Sequence, residues 1–158
     1  MSFNFNLRLY FQLIILLCLS SLSYAFYIEY IDGYAACILC KIQRLPYVFA
    51  LVLGVIGYTK PLKLKIIALI FVVFFISLII STYHVSIELG LVKSLFVCTD
   101  DNLKIFEKKE LLENMKLISP DCKNVNFRLF GASLATINLI ISFVICLISY
   151  YLYKNAKN

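Results

Sequence analysis

Charge is scarce in this chain: Asp, Glu, Lys and Arg together make up 15% of it, against 62% hydrophobic residues and a mean hydropathy of +0.90. A soluble domain carries an apolar share of about half, so the shortage of charge excludes water as the main solvent. No internal repeat and no low-complexity tract is present, which excludes a solenoid or an extended linker. The net charge of +6 is nowhere gathered into a contiguous basic patch, which removes nucleic acid from the partner classes.

What remains is long apolar runs. A bilayer core of about 30 Å needs roughly 20 mostly apolar residues per helix. Four stretches of the chain, residues 9–28, 40–58, 64–83 and 130–153, come close to that length. In lipid the backbone must satisfy its own hydrogen bonds, so these segments are expected as helices despite their many Ile, Val, Phe and Tyr residues. The expected fold is an all-α membrane protein: one integral membrane domain over residues 1–158, a four-helix bundle. The first stretch has a rival reading, because Ser23-Tyr24-Ala25 resembles the cleavage site of a secretory signal peptide. Apolar character continues through Phe26, Tyr27 and Ile28, so a retained helix is favoured.

Four spans leave three connections. The middle one, around Lys60 and Pro61, is a bare turn in which proline stops the second helix. The first, residues 29–39, contains the turn signal Asp32-Gly33. The last, residues 85–129, is the only polar segment large enough to meet a soluble partner. Within it Leu103, Ile105, Phe106, Leu111, Leu112, Met115 and Ile118 alternate with charged residues, a stripe interrupted by Glu110 that predicts a short amphipathic helix lying on the membrane surface, its plain alternative being a solvated loop with a helical tendency. With both termini inside, the inner segments hold six basic residues (Arg8, Lys60, Lys63, Lys65, Lys154, Lys157) and no acidic one, which suits an anionic lipid surface. The count of Lys and Arg alone favours the other side, so charge orients the chain only weakly.

The span assignment also sorts the six cysteines. Cys18 and Cys146 fall inside spans, where a thiol is a small apolar residue. The other four share one side: Cys37 and Cys40 form C-x-x-C in the first connection, while Cys98 and Cys122 bracket the amphipathic segment. Four cysteines allow three pairings, of which the local one joins Cys37 to Cys40 and Cys98 to Cys122. A Cys₄ zinc site is disfavoured because Cys98 and Cys122 stand far apart and an oxidising compartment removes thiolate ligands, so no metal is expected. Purely structural bridges fit Cys98 and Cys122, but a C-x-x-C bridge closes too small a loop to stabilise much, and its usual value is redox chemistry.

Residues 46–58 are too few to cross lipid, so the second helix is expected to begin at or near the C-x-x-C, with Cys40 in its first turn. There the helix dipole and unpaired amides favour a thiolate. Arg44 follows one turn later, and a permanent charge at that depth points to a function. It would stabilise the Cys40 thiolate and donate to a carbonyl oxygen that gains charge. Its plain alternative is an arginine snorkelling to headgroups. His84, the one histidine, stands at the outer end of the third span and is a candidate proton donor and acceptor; its plain alternative is a hydrogen-bonded filler. Gly54 and Gly57 would let helices approach closely, as would Gly131 with Ala135, and Asn138 is expected to hydrogen-bond between helices.

Taken in order, Cys37-Ile38-Leu39-Cys40-Lys41-Ile42-Gln43-Arg44, Tyr83-His84 with Glu88, Cys98, Pro120-Asp121-Cys122, and Gly131-Ala132-Ser133-Leu134-Ala135 followed by Asn138 resemble the DsbB family of disulfide-generating membrane proteins. The resemblance implies a protein of the bacterial inner membrane with its redox loops in the periplasm. It implies reoxidation of a DsbA-like thioredoxin-fold partner and delivery of electrons to ubiquinone or menaquinone. By analogy the partner's thiolate attacks Cys98, the released Cys122 attacks Cys37, and the Cys40 thiolate meets the quinone beside Arg44. The chain departs from the family pattern at Ala36, where proline is common, at Ser86-Ile87, and in having no tryptophan. A vitamin K epoxide reductase-like enzyme would carry its C-x-x-C late in the bundle, whereas here it opens the second helix. The alternative of another class is a membrane scaffold or small transporter subunit with two structural disulfides.

Overall fold

Apolar segments that must close their own backbone hydrogen bonds have one economical solution in lipid, and the computed structural model of the chain adopts it. It describes residues 7–34, 36–59, 63–92, 128–129 and 132–157. Helix α1 covers Leu7–Tyr30, α2 Ile38–Ile42, α3 Arg44–Thr59 and α4 Lys63–Glu88. A two-residue ladder, β1 Arg128–Leu129 against β2 Ala132–Ser133, then leads into helix α5, Leu134–Lys157. Helices α1, α4 and α5, and α2 with α3 taken together, are each long and apolar enough to cross a membrane. The fold is the expected all-α membrane bundle.

Local chemistry sets the boundaries. At the C-terminus of α1, Gly33 takes φ +76°, which lets the Tyr34 amide return to the Ile28 carbonyl at 3.1 Å. Gly90, at φ +73°, does the same after α4, where the Leu91 amide reaches the Ser86 carbonyl at 2.9 Å. The break between α2 and α3 at Gln43 has its cause three residues later. Pro46 has no N–H to give to the Ile42 carbonyl, and its ring crowds that oxygen, so the helix is interrupted there. The second span is therefore two helices rather than the single one expected from length.

The fourth span begins at Leu134, four residues later than hydropathy places it. Ser133 caps α5, its hydroxyl accepting from the Thr136 amide at 3.1 Å, and the residues before it pair as strand. An apolar count sees composition and misses such a cap. The amphipathic segment at 103–118, the turn at Lys60 and Pro61, Gly131, Cys98 and Cys122 lie outside the described residues.

Helix α1 packs on α3, α3 on α4, and α4 on α5. Phe11, Ile67, Ile70 and Phe74 fill the centre, while Leu16, Phe49 and Ile140 point outward, as a lipid-facing surface requires. Polar side chains join the helices across this interior. Tyr10 meets Ser149 at 2.7 Å, Ser77 meets Ser142 at 3.0 Å, and Asn138 accepts from Tyr47 at 2.5 Å while donating to Ser81 at 2.8 Å. Asn138 thus bridges three helices, as expected of an amide deep in a span. Such bonds contribute about 0.6 kcal/mol each on average in lipid.

Close approach of α1 and α3 depends on glycine. A Cβ on Gly54 would touch Ile15 at 3.0 Å, and one on Gly57 would collide with the ring of Phe11. Phe11 is fully buried and packs edge-on against Tyr10, so it has no room to turn aside. Gly57→Leu is expected to destabilise the bundle by about 1–3 kcal/mol through overpacking. Denaturant unfolding in detergent, followed by helical circular dichroism, measures it; an unchanged midpoint would contradict the packing described.

Candidate functional site

The α1–α2 connection and the end of α4 meet at one mouth of the bundle. Cys37 caps α2, with extended backbone (φ −64°, ψ 165°) and a sulfur that accepts from the Cys40 amide at 3.3 Å. This places Cys40 in the first turn of the helix, its sulfur 2.9 Å from that of Cys37. The two are thiols rather than a disulfide. Cys37 is 7% exposed and lies with Leu39 and Ile87 in a small apolar cluster that seals the mouth.

His84, 2% exposed on α4, faces this pair. Its Nε2 lies 3.7 Å from Cys37 Sγ and 3.7 Å from Glu88 Oε1, one helical turn further along α4. Its Nδ1 lies 3.2 Å from Nε2 of Gln43. An amide nitrogen only donates, so Nδ1 accepts, and the imidazole proton sits on Nε2, aimed at sulfur and carboxylate. Gln43 occupies the break created by Pro46, which turns its side chain, 6% exposed, inward to α4.

The Cys37 thiol donates to Cys40 sulfur, and this bond together with burial pushes the Cys37 thiol up to about 12 despite the opposing contact with His84. Cys37 therefore keeps its proton at neutral pH, and it is buried where Cys40 is only partly so. Only thiolates are alkylated. Iodoacetamide is accordingly expected to label Cys40 before Cys37 near neutrality, with labelling of Cys37 rising about tenfold per pH unit until its pKa is approached. Mass spectrometry of the reduced chain reads the order; equal rates would contradict the proton assignment.

Arg44 opens α3 and turns to α1. Its guanidinium is paired with Glu29, donates to the Ala25 carbonyl at 3.4 Å and lies 5.1 Å from the centre of the Phe26 ring. Both charges are mostly buried, while Lys41, more than half exposed, approaches Glu29 at 3.7 Å from the solvent side. Removing one member of such a pair strands the other, which is costly in a low dielectric. The cation is thus held against α1.

A family model described as "Disulfide bond formation protein DsbB" matches residues 7–152 of the chain. This chain belongs to the DsbB family. The uncharacterized protein RP370 of Rickettsia prowazekii (strain Madrid E) is 28% identical over 141 residues, covering 85% of this chain and 80% of that protein. Family and spans together make this a multi-pass membrane protein of disulfide formation.

In this DsbB-family chain the described residues bring Cys37, Cys40 and His84 together, and they turn Arg44 toward α1. Cys18 and Cys146 are buried in the bundle core, in keeping with packing. Sequence reasoning gave no role to three participants. Gln43 and Glu88 stand close to Cys40 and His84 along the chain, but the contacts that give Gln43 its work lie across helices. Glu29 carried a usable signal: it is the acid that ends the first apolar run, at the same depth as the buried arginine that opens α3.

Proposed function

We propose that this chain oxidises the dithiol of a DsbA-like thioredoxin-fold protein and passes the two electrons to a membrane quinone, ubiquinone or menaquinone, at the periplasmic face of a bacterial inner membrane. The observation that carries this reading is the Cys37–Cys40 pair, capped into a helix N-terminus at the mouth of a membrane bundle and backed by a buried imidazole.

Each turnover balances as two thiol–disulfide exchanges. The partner's thiolate attacks the Cys98–Cys122 disulfide at Cys98; the partner's second thiol closes its own disulfide and leaves Cys98 and Cys122 reduced. Cys122 thiolate then attacks Cys37 of the Cys37–Cys40 disulfide, expelling Cys40 as thiolate, and Cys98 resolves the mixed disulfide. The Cys37–Cys40 dithiol is left with two electrons and two protons to lose. A quinone supplies the acceptor for both.

The donor set fits a quinone head group. His84 Nε2–H can donate to a carbonyl oxygen and cannot accept there, and the Arg44 guanidinium, now paired with Glu29 and the Ala25 carbonyl, would do the same by turning from α1. Arg44 stabilises negative charge; His84 delivers a proton and recovers one through Glu88. The Cys37 proton, held against Cys40, leaves last.

The deciding experiment is oxidation of a purified, reduced thioredoxin-fold protein by this chain in detergent, with and without added quinone, read by thiol trapping. Partner oxidation beyond one round that depends on quinone supports the reading. Thiols that never exchange would leave the scaffold or transporter-subunit alternative. Arg44→Ala is expected to raise the quinone KM or slow the quinone step by roughly 10-fold, the scale of one lost charge-assisted hydrogen bond. Partner binding should not change, so a variant defective only toward the partner would contradict the role.

A further inference from the structure

The grouping of Cys37, Cys40, His84 and Glu88 has a chemistry that thiol exchange does not use. Cys37 Sγ, Cys40 Sγ and His84 Nε2 all lie within 4.8 Å of one another, and Glu88 Oε1 stands 3.7 Å from that nitrogen. Zinc bonds to sulfur at about 2.3 Å and to nitrogen or oxygen at about 2.0–2.2 Å, which places neighbouring tetrahedral ligand atoms about 3.3–3.8 Å apart. The sulfur–nitrogen and nitrogen–oxygen separations, both 3.7 Å, are already in or near that range. The sulfurs, at 2.9 Å, would spread by less than about 1 Å, and the Glu88 carboxylate, which stands outside the three-residue group, would move toward them.

We infer that the reduced Cys37–Cys40 pair, together with His84, is a three-ligand binding site for a thiophilic divalent cation such as Zn²⁺ or Cd²⁺, open only in the dithiol state, with Glu88 beside the imidazole as the carboxylate that would swing in as fourth ligand. Binding replaces two thiol protons, which leave to solvent, with two metal–sulfur bonds; no electron moves. Oxidation of the pair removes both thiolate ligands, so metal and disulfide exclude each other. A bound cation holds the pair reduced and blocks its reoxidation, whichever acceptor takes the electrons. The inference goes beyond the quinone reading and requires only that these two cysteines can be reduced.

The residues around the site favour this use. Ligation through Nε2 moves the imidazole proton to Nδ1, where it needs an acceptor. Gln43 provides one if its amide rotates by half a turn and presents its oxygen in place of the nitrogen now 3.2 Å away. The same residue thus serves both states of the ring. Glu88, 12% exposed, closes the outer side of the site.

The test uses the full-length chain in detergent, reduced and freed of reductant, with Co²⁺ as probe and Zn²⁺ as competitor. Reduced protein is expected to take up one equivalent of Co²⁺ with the thiolate charge-transfer and intense visible bands of a tetrahedral site. Zn²⁺ should abolish these bands and slow alkylation of Cys37 and Cys40. The oxidised chain should show none of this, and that comparison needs no variant. Cys37→Ser and Cys40→Ser should lose the spectrum, and His84→Ala or Glu88→Gln should weaken Zn²⁺ by more than about tenfold, since even outer-shell partners act on that scale. Cys98→Ser/Cys122→Ser should retain it, which assigns the metal to the inner pair. The inference fails if reduced chain with titratable thiols gives no tetrahedral spectrum. It fails equally if the spectrum persists after oxidation or in Cys37→Ser, or vanishes in Cys98→Ser/Cys122→Ser.

Discussion

Cys98→Ser is expected to abolish oxidation of the thioredoxin-fold partner, to the limit of detection, while leaving Cys37 and Cys40 oxidisable by quinone. The reason is that exchange needs a sulfur at each station. Without Cys98 the partner's thiolate has no disulfide in the outer loop to attack, and Cys37, 7% exposed beneath Leu39 and Ile87, is poorly placed to be attacked by a folded protein. The inner pair loses nothing by the change, because its contacts run to His84 and, through that ring, to Gln43. Two measurements on one preparation read the split: partner oxidation by thiol trapping, and reoxidation of the chemically reduced chain after adding quinone. Normal partner oxidation in this variant would show that the inner pair meets the partner directly and that the two-station relay is wrong.

The fold behind that expectation is readable from sequence in part, and the boundary of what is readable has a physical cause. Hydropathy is a property of composition along the chain, so the four spans can be located from it, and the turn at Asp32-Gly33 follows from glycine's access to positive φ. The cysteines of the mouth are legible too, because a C-x-x-C at the start of a span is a local pattern. Asn138 can be expected to bond across helices, since an amide in lipid must find partners somewhere.

What the sequence does not reveal is which partner each group finds. Arg44 is one turn from Cys40 in sequence, and that spacing alone predicts service to the thiolate; in the structure its guanidinium is paired with Glu29 of α1 and lies beside Phe26. The break at Gln43 is the reason that spacing is insufficient. Pro46 divides the span, so Cys37 caps one short helix and Arg44 opens another, and the regular periodicity of a single helix no longer relates them. The ladder before α5 escapes sequence reasoning for a similar reason: two paired residues leave no periodic trace. The role of Gln43 depends on a contact with α4 that only the packed bundle creates.

His84→Ala is expected to slow transfer of electrons from the Cys37–Cys40 dithiol to quinone by roughly 10²- to 10⁴-fold, the usual contribution of a positioned acid–base group. Partner exchange with the outer loop should be unaffected, which makes the loss step-specific. Proton inventory is the reason. Two protons must reach the quinone at a buried mouth, and the Nε2–H of His84, 3.7 Å from Cys37 sulfur, can give one with Glu88 beside it to return a proton to the ring. A second substitution separates proton transfer from mere filling. Gln43→Leu keeps the volume near the ring but removes the bond that fixes the proton on Nε2, costing about 0.5–1.5 kcal/mol, or about two- to tenfold in rate. Gln43→Glu would instead accept from Nδ1–H, drawing the proton to the wrong nitrogen, and should be slower than wild type although its side chain is the same size. Nitrogen NMR of the labelled imidazole reads the tautomer directly. A ring protonated on Nδ1 in the wild-type chain would overturn the assignment of Nε2 as donor, and a Gln43→Glu variant with undiminished quinone reduction would show that the tautomer does not govern the step.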